Sequence, residues 1–149
     1  MGSETAQGIT WAQTISRQNV RQHWPAIFQL YQDSPLGQQV ADRKILANYI
    51  RLPIQLAQMR IYGSADQVQG LATWACLSEI EARRYELTQE VHHWNCGDHI
   101  YVIDVIAKRL NMFKVIRELR SYGFERYNQN HFNWFRQDYV QNRSRKGWC

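Results

Sequence analysis

Cysteine is scarce in this 149-residue chain. There are three, Cys76, Cys96 and Cys149, an odd number at wide spacing. No two of them form the Cys-x-x-Cys pair of a structural zinc site, and no disulfide framework can be built from them. A reducing compartment, the cytoplasm, is the simplest setting. Long apolar runs are lacking too: nothing approaches the roughly 20 consecutive apolar residues that span a bilayer. Residues 1–8 are polar with no apolar run behind them, so no secretory signal is expected there. Ala6 stands where a myristoylation signal needs serine or threonine. There is no internal repeat and no linker-like stretch. The expectation is one domain over residues 1–140, followed by a basic tail, 141–149, that contains Arg143, Arg145 and Lys146.

Apolar side chains are plentiful at 44%, against 21% charged, so a packed core is expected and disorder is not. Aromatic residues make up 13%, six of them tryptophan, and such side chains fill cores and interfaces. The net charge of +5 favours an acidic partner: nucleic acid, an acidic carrier protein, or a neighbouring subunit in an assembly. No helix-turn-helix, zinc-finger or RRM signature accompanies that charge.

Periodicity divides the chain into elements. Ile9, Ala12, Ile15 and Val20 recur at near-helical spacing and predict a first helix. Pro25 opens a second, whose apolar face is Ile27, Phe28, Leu30 and Tyr31. Residues 33–37 read as a turn, and 40–50 as a third helix that Pro53 ends or whose exit it marks. Residues 58–62 and 68–75 read as two strands joined by a hairpin loop at 63–66. Ser78, with Glu81 three residues on, is a capping box for a helix reaching Gln89. Residues 100–106 are β-prone and apolar on both faces, as in a central strand. A basic amphipathic helix is predicted from Met112 to Tyr122 with Gly123 at its C-terminal cap, then two last strands at 124–127 and 132–136. This order fits an α+β domain, a mixed central β-sheet flanked by helices.

Four segments, in order, resemble the toxin-activating lysine acyltransferases. They are Ser34-Pro35-Leu36 after an aromatic helix end; Leu52-Pro53 shortly before Gln58 and a strand; Thr73-Trp74-Ala75-Cys76-Leu77-Ser78, similar to Ser-Trp-Ala-x-Leu-Ser; and Trp94-Asn95-Cys96-Gly97-Asp98 followed by Ile103-Asp104-Val105-Ile106-Ala107, similar to Trp-x-Ser-Gly-Asp and Ile-Asp-x-Ile-Ala. The resemblance covers residues 28–107. It implies a GNAT-like fold and transfer of a fatty acyl group from acyl carrier protein to a lysine. It also implies that Asp104 is the family's catalytic aspartate. The family's histidine follows Ser-Pro-Leu directly, and Gly37 occupies that place. A base must take the proton of the lysine ammonium, which histidine can do near neutral pH and glycine cannot. After Ala107 the family continues Pro-Phe-Gly, whereas this chain has Lys108-Arg109-Leu110-Asn111. The glycines that would let backbone N–H groups approach a pyrophosphate are missing there.

The candidate catalytic residues are therefore Asp104 and His23, the nearest substitute histidine in sequence. A buried Asp104 is equally a structural residue paired with an arginine or a backbone N–H. Lys108 and Arg109 are the candidates for holding the acyl donor; with Lys114, Arg117 and Arg120 they also read as a solvated helix face. His92, His93 and His99 surround Cys96 and Asp98 but match no zinc spacing, so no metal is expected. No cofactor is certain, and acyl-acyl carrier protein is the donor if the chain is active.

Three functions remain open. The first is a degenerate acyltransferase-like domain serving as a structural or binding module in a larger assembly, such as a phage particle, which would place it in a virion. The second is an active protein-lysine acyltransferase. The third is a basic nucleic-acid-associated protein. The first is favoured by Gly37 and the altered loop after Ala107.

Overall fold

The computed structural model describes residues 8–128 and Asn133. Its elements run β1 (Trp11–Ile15), α1 (Val20–Asp33), α2 (Pro35–Gln39), α3 (Arg43–Gln55), β2 (Met59–Ser64), β3 (Gln67–Leu77), α4 (Glu79–Thr88), β4 (His99–Ala107) and α5 (Met112–Tyr127). The four strands lie in the order β1-β2-β3-β4, each antiparallel to its neighbour. Beyond β4, Asn133 makes a parallel bridge to Tyr101. This is the expected α+β domain, a sheet flanked by helices, consistent with a GNAT-like fold.

Helices cover both faces. On one, α5 packs Val115, Ile116 and Leu119 onto Tyr62, Trp74 and Val102. On the other, α1 and α3 bring Ile27, Tyr31, Leu46 and Ile50 onto Ile15, Met59, Ile61 and Leu71. Beside them α4 and Trp94 cover Ala75, Leu77, Tyr101 and Ile103. Burying a side chain of this size contributes about 1.5–3 kcal/mol, so these three clusters, rather than helix propensity, hold the domain together.

Several local expectations need correction. The first predicted helix is the edge strand β1: its residues pair with β2 from Trp11↔Gly63 to Ile15↔Met59. Their three-residue spacing fits a helix and not a strand, and tertiary pairing overrides it: Ala12 faces the α5 cluster while Trp11 and Ile15 face α1 and α3. Helix α1 begins at Val20 with Pro25 inside it, and α3 likewise continues past Pro53 to Gln55. Residues 35–39 form the short α2, with Pro35 in its first turn and Ser34 as N-cap. Helix α5 does not stop at Gly123, which is buried within it. It runs through the predicted strand 124–127 and ends where Asn128 turns left-handed at φ 59°. Ser78 caps α4 as predicted, its Oγ accepting from the Glu81 N–H at 3.2 Å. The basic tail 141–149 and, apart from Asn133, the predicted strand 132–136 lie outside the described residues.

Candidate functional site

The site begins with an irregularity in β4. Thr73 pairs with Asp104 and the next residue, Trp74, with Val102, so Ile103 is one residue too many on β4. Side chains alternate along a strand, and one extra residue reverses the alternation. Ile100 and Val102 point into the α5 cluster, and so does Val105. Tyr101 and Ile103 point the other way. The bulge puts Asp104 on the same side as Ile103, facing α1 and α3. Beside the bulge the Asp104 N–H donates to Thr73 Oγ1 at 3.1 Å.

Asp104 is only 7% exposed. Its Oδ2 accepts from Tyr31 OH at 3.0 Å and from Tyr49 OH at 2.6 Å. Tyr31 comes from the C-terminal end of α1 and Tyr49 from the middle of α3, with ring centroids 6.1 Å apart edge to face. Burial, with the nearby Asp104 charge, holds the Tyr31 phenol well above its ordinary ionisation range. It is therefore a hydrogen-bond donor at neutral pH and not a base.

Asp104 and Tyr49 open onto a cleft of about 720 Å³. Its apolar walls include Leu36 of α2, Leu52 of α3, Tyr85 of α4 and Ile103; Trp94 adds an aromatic wall. Tyr49 and Trp94 meet edge to face at 6.3 Å. The loop after α4 contributes Glu90 and His92 to the same cleft. Gln58 fixes the Trp94 wall: its buried amide donates to Trp74 O at 2.9 Å and to Trp94 O at 3.0 Å. The Trp94-to-Asp98 segment is laced to β3 by Cys76 N–H to Trp94 O at 2.9 Å and Cys96 N–H to Cys76 O at 2.7 Å. Gly97 is required at its position, because a Cβ there would lie 2.4 Å from Leu77 O.

Gly37 is sealed against the end of α1. Ser34 Oγ donates to Tyr31 O at 2.6 Å and accepts from the Gly37 N–H at 3.3 Å. A Cβ at Gly37 would stand 2.1 Å from Tyr31 O and 2.7 Å from Gln32 Cα. Both are backbone atoms, so the position has no room for any side chain unless the chain moves. The same turn that carries Tyr31 to Asp104 thus closes the place of the expected base.

The remaining candidates are dispersed. His23 lies on α1 in a different groove, shared with Asp33, Val68 and Lys108, and not in the Asp104 cleft. Lys108 Nζ is 3.7 Å from Asp33 Oδ2. Arg109 is exposed in the turn before α5 with φ 65°. His93 and His99 are exposed, and no group of three or more His, Cys, Asp or Glu side chains suited to a metal ion occurs among the described residues. Sequence reasoning missed Tyr31 and Tyr49 as partners of Asp104, and His92 as a cleft residue. The hint for the tyrosines was their place on the apolar faces of two helices, where a hydroxyl needs a polar partner; nothing in the sequence marks His92 out from His93.

A family model described as the RTX toxin acyltransferase family matches residues 16–147. No curated protein matches, and no solved structure matches.

Proposed function

This chain belongs to the RTX toxin acyltransferase family, and from that premise we propose that it is a degenerate acyltransferase-like domain. It acts as a binding or structural module in a larger assembly rather than as a transferase. The observation that carries this reading is the closure at Gly37, where a Cβ would collide with the Tyr31 backbone at 2.1 Å. The base position is both empty of side chain and closed to one. Asp104 meanwhile serves two tyrosine hydroxyls. A carboxylate so held anchors α1 and α3 to the sheet, which is a structural task. The cleft keeps its apolar and aromatic walls, which suits holding a protein segment without reacting with it.

A second reading rests on His92, which lines the same cleft as Asp104. There the imidazole would take the proton of an attacking lysine amine, replacing the base lost at position 37. This reading makes the chain an active lysine acyltransferase with acyl-acyl carrier protein as donor.

Incubation with acyl-acyl carrier protein and acyl-CoA donors, followed by mass spectrometry of lysines in the chain and in candidate acceptors, separates the two. The module reading expects no adduct above that of Asp104→Ala. Transfer that disappears in both Asp104→Ala and His92→Ala would sink it and carry the second reading.

A further inference from the structure

The flank of α3 that faces away from the Asp104 cleft carries a second, chemically different groove. Arg43, Lys44, Ala47, Asn48 and Arg51 of α3 face Trp24 and Phe28 of α1 across a hollow of about 460 Å³. A second hollow, of about 530 Å³, continues it past Trp24 and Arg51 to Arg17 and Arg21. Trp24 and Arg51 line both, so the two hollows adjoin and together make the groove. Five cations line it and no carboxylate does. None of the five forms a salt bridge among the described residues. Asp42, the nearest acid in sequence, is engaged at the helix end, its Oδ1 accepting from the Lys44 N–H at 2.8 Å.

Two of the four arginines lie over aromatic rings. The Arg51 guanidinium lies over Trp24 at 5.1 Å and that of Arg43 over Phe28 at 5.0 Å. Stacking fixes the guanidinium plane and leaves N–H groups on its edge, a fork matched to two oxygens of one phosphate. Four of the five cations are arginine. The exposed aliphatic side chains of α3, Ile45 and Leu52, lie on its other flank, and Leu52 belongs to the Asp104 cleft. The groove's own apolar side chains, Trp24, Phe28, Val20 and Ile54, are buried or half-buried between α1 and α3, and do not stand out as an exposed face that could enter a bilayer. Five cations spread over two adjoining hollows suit a string of phosphates rather than one.

We propose that this groove binds the sugar–phosphate backbone of a single-stranded nucleic acid, with Arg43 and Arg51 as the principal phosphate contacts. The site is independent of the Asp104 cleft and of whether that cleft is catalytic. It is also distinct from the basic surface expected on α5.

The test is fluorescence anisotropy of the full chain with labelled (dT)20, titrated with salt. With up to five phosphate contacts, log K against log salt should fall with a slope of about −3.5. Arg43→Ala/Arg51→Ala should weaken binding by about tenfold or more at 50 mM salt and make the slope shallower by about 1.4. Arg43→Lys/Arg51→Lys, which keeps the charge and fold but loses the fork, should keep the slope and lose affinity to a smaller degree. Lys114→Ala/Arg117→Ala on α5 should change affinity less than about twofold. Photocrosslinking with mass spectrometry should place adducts on α1 and α3. Any of four results overturns the proposal: no binding at about 100 µM protein, the range expected even of non-specific contact; equal loss in the α3 and α5 variants; crosslinks confined to residues 129–149; or competition by poly-glutamate as effective as that by unlabelled (dT)20, which would assign the groove to an acidic protein.

Discussion

Tyr49 donates its hydroxyl hydrogen to Asp104 Oδ2 at 2.6 Å, and Tyr31 donates to the same oxygen at 3.0 Å. Two helices far apart in sequence from β4 are thereby tied to one buried carboxylate. Tyr31→Phe should destabilise the fold by about 1–3 kcal/mol, the cost of leaving a buried polar partner short of a donor. Tyr49→Phe should cost less, because Tyr49 borders the open cleft where water can replace it. Urea melts of both variants check the order. Equal, negligible losses would mean that the pair does not anchor the helices.

The buried tyrosines also set a limit at alkaline pH. Burial is the leading cause that holds the Tyr31 and Tyr62 phenols well above their usual range, and it raises that of Tyr127 to about 12. In the unfolded chain the same groups ionise near 10. The folded state keeps its protons longer, so the stability linked to these groups is complete below about pH 10 and is lost as pH rises through the folded values. Stability should therefore be level from pH 7 to about 8, above which the Cys76 thiol, also pushed up by burial, begins a first decline. Above about pH 10 it should fall by up to about 1.4 kcal/mol per pH unit for each of Tyr31 and Tyr62. Chemical melts from pH 7 to 11 measure it, and Tyr31→Phe should make the alkaline fall less steep.

Thr73 supports the bulge that aims Asp104. Its buried Oγ1 accepts the Asp104 N–H beside the bulge. Thr73→Val keeps the shape and removes that acceptor, which should cost about 1–3 kcal/mol. Thr73→Ser keeps the acceptor and should cost less. If the valine variant is as stable as the parent, the hydroxyl is not what holds the bulge.

The contrast between these features shows where the sequence was readable. The central strands β3 and β4 and the cap at Ser78 were legible because each is a local pattern: alternating or continuous apolar runs, and a serine three residues before Glu81. The Ser34, Trp94 and Asp104 segments carried the family resemblance, and the structure brings Leu36, Trp94 and Asp104 to one cleft. Strand β1 was misread because Ile9, Ala12 and Ile15 fit a helical period, and only pairing with β2 forty-odd residues later settles the matter. Gly123 was misread as a stop because a glycine buried in a helix and one ending it look the same in sequence. The bulge at Ile103 was invisible, since the reversal of facing appears only when β4 is set against β3. The partners of Asp104 and the cleft position of His92 likewise depend on contacts between distant elements.

Gln58 offers a direct test of how the Trp94 wall is held. Its amide nitrogen donates to two backbone carbonyls, Trp74 O and Trp94 O, in a site 2% exposed. Gln58→Glu would set a carboxylate against those two oxygens with no proton to share. A loss of about 3 kcal/mol or more is expected at neutral pH, with part of it recovered on acidification as the carboxyl gains a donor hydrogen. Thermal melts at pH 7 and pH 4.5, compared with the parent at each pH, check both parts. A loss without any acid recovery would point to packing rather than to the two hydrogen bonds.

Gly37 carries the sharpest prediction about function. Its missing Cβ would come within 2.1 Å of Tyr31 O, which Ser34 Oγ holds, and 2.8 Å of Gln32 O, which accepts from Gln38 Nε2. Gly37→Ala should therefore destabilise the domain by about 1–3 kcal/mol through overpacking, where an ordinary helical glycine would gain from alanine. Gly37→His should be at least as unstable. It should show no acyl transfer from acyl-carrier or CoA donors, because the imidazole cannot reach Asp104 without displacing the turn that holds Tyr31. Calorimetry of both variants, with the transfer assay on the histidine variant, decides the point. A stable Gly37→His that transfers an acyl group in an Asp104-dependent way would show that the closure is soft and that one substitution separates this chain from an active transferase.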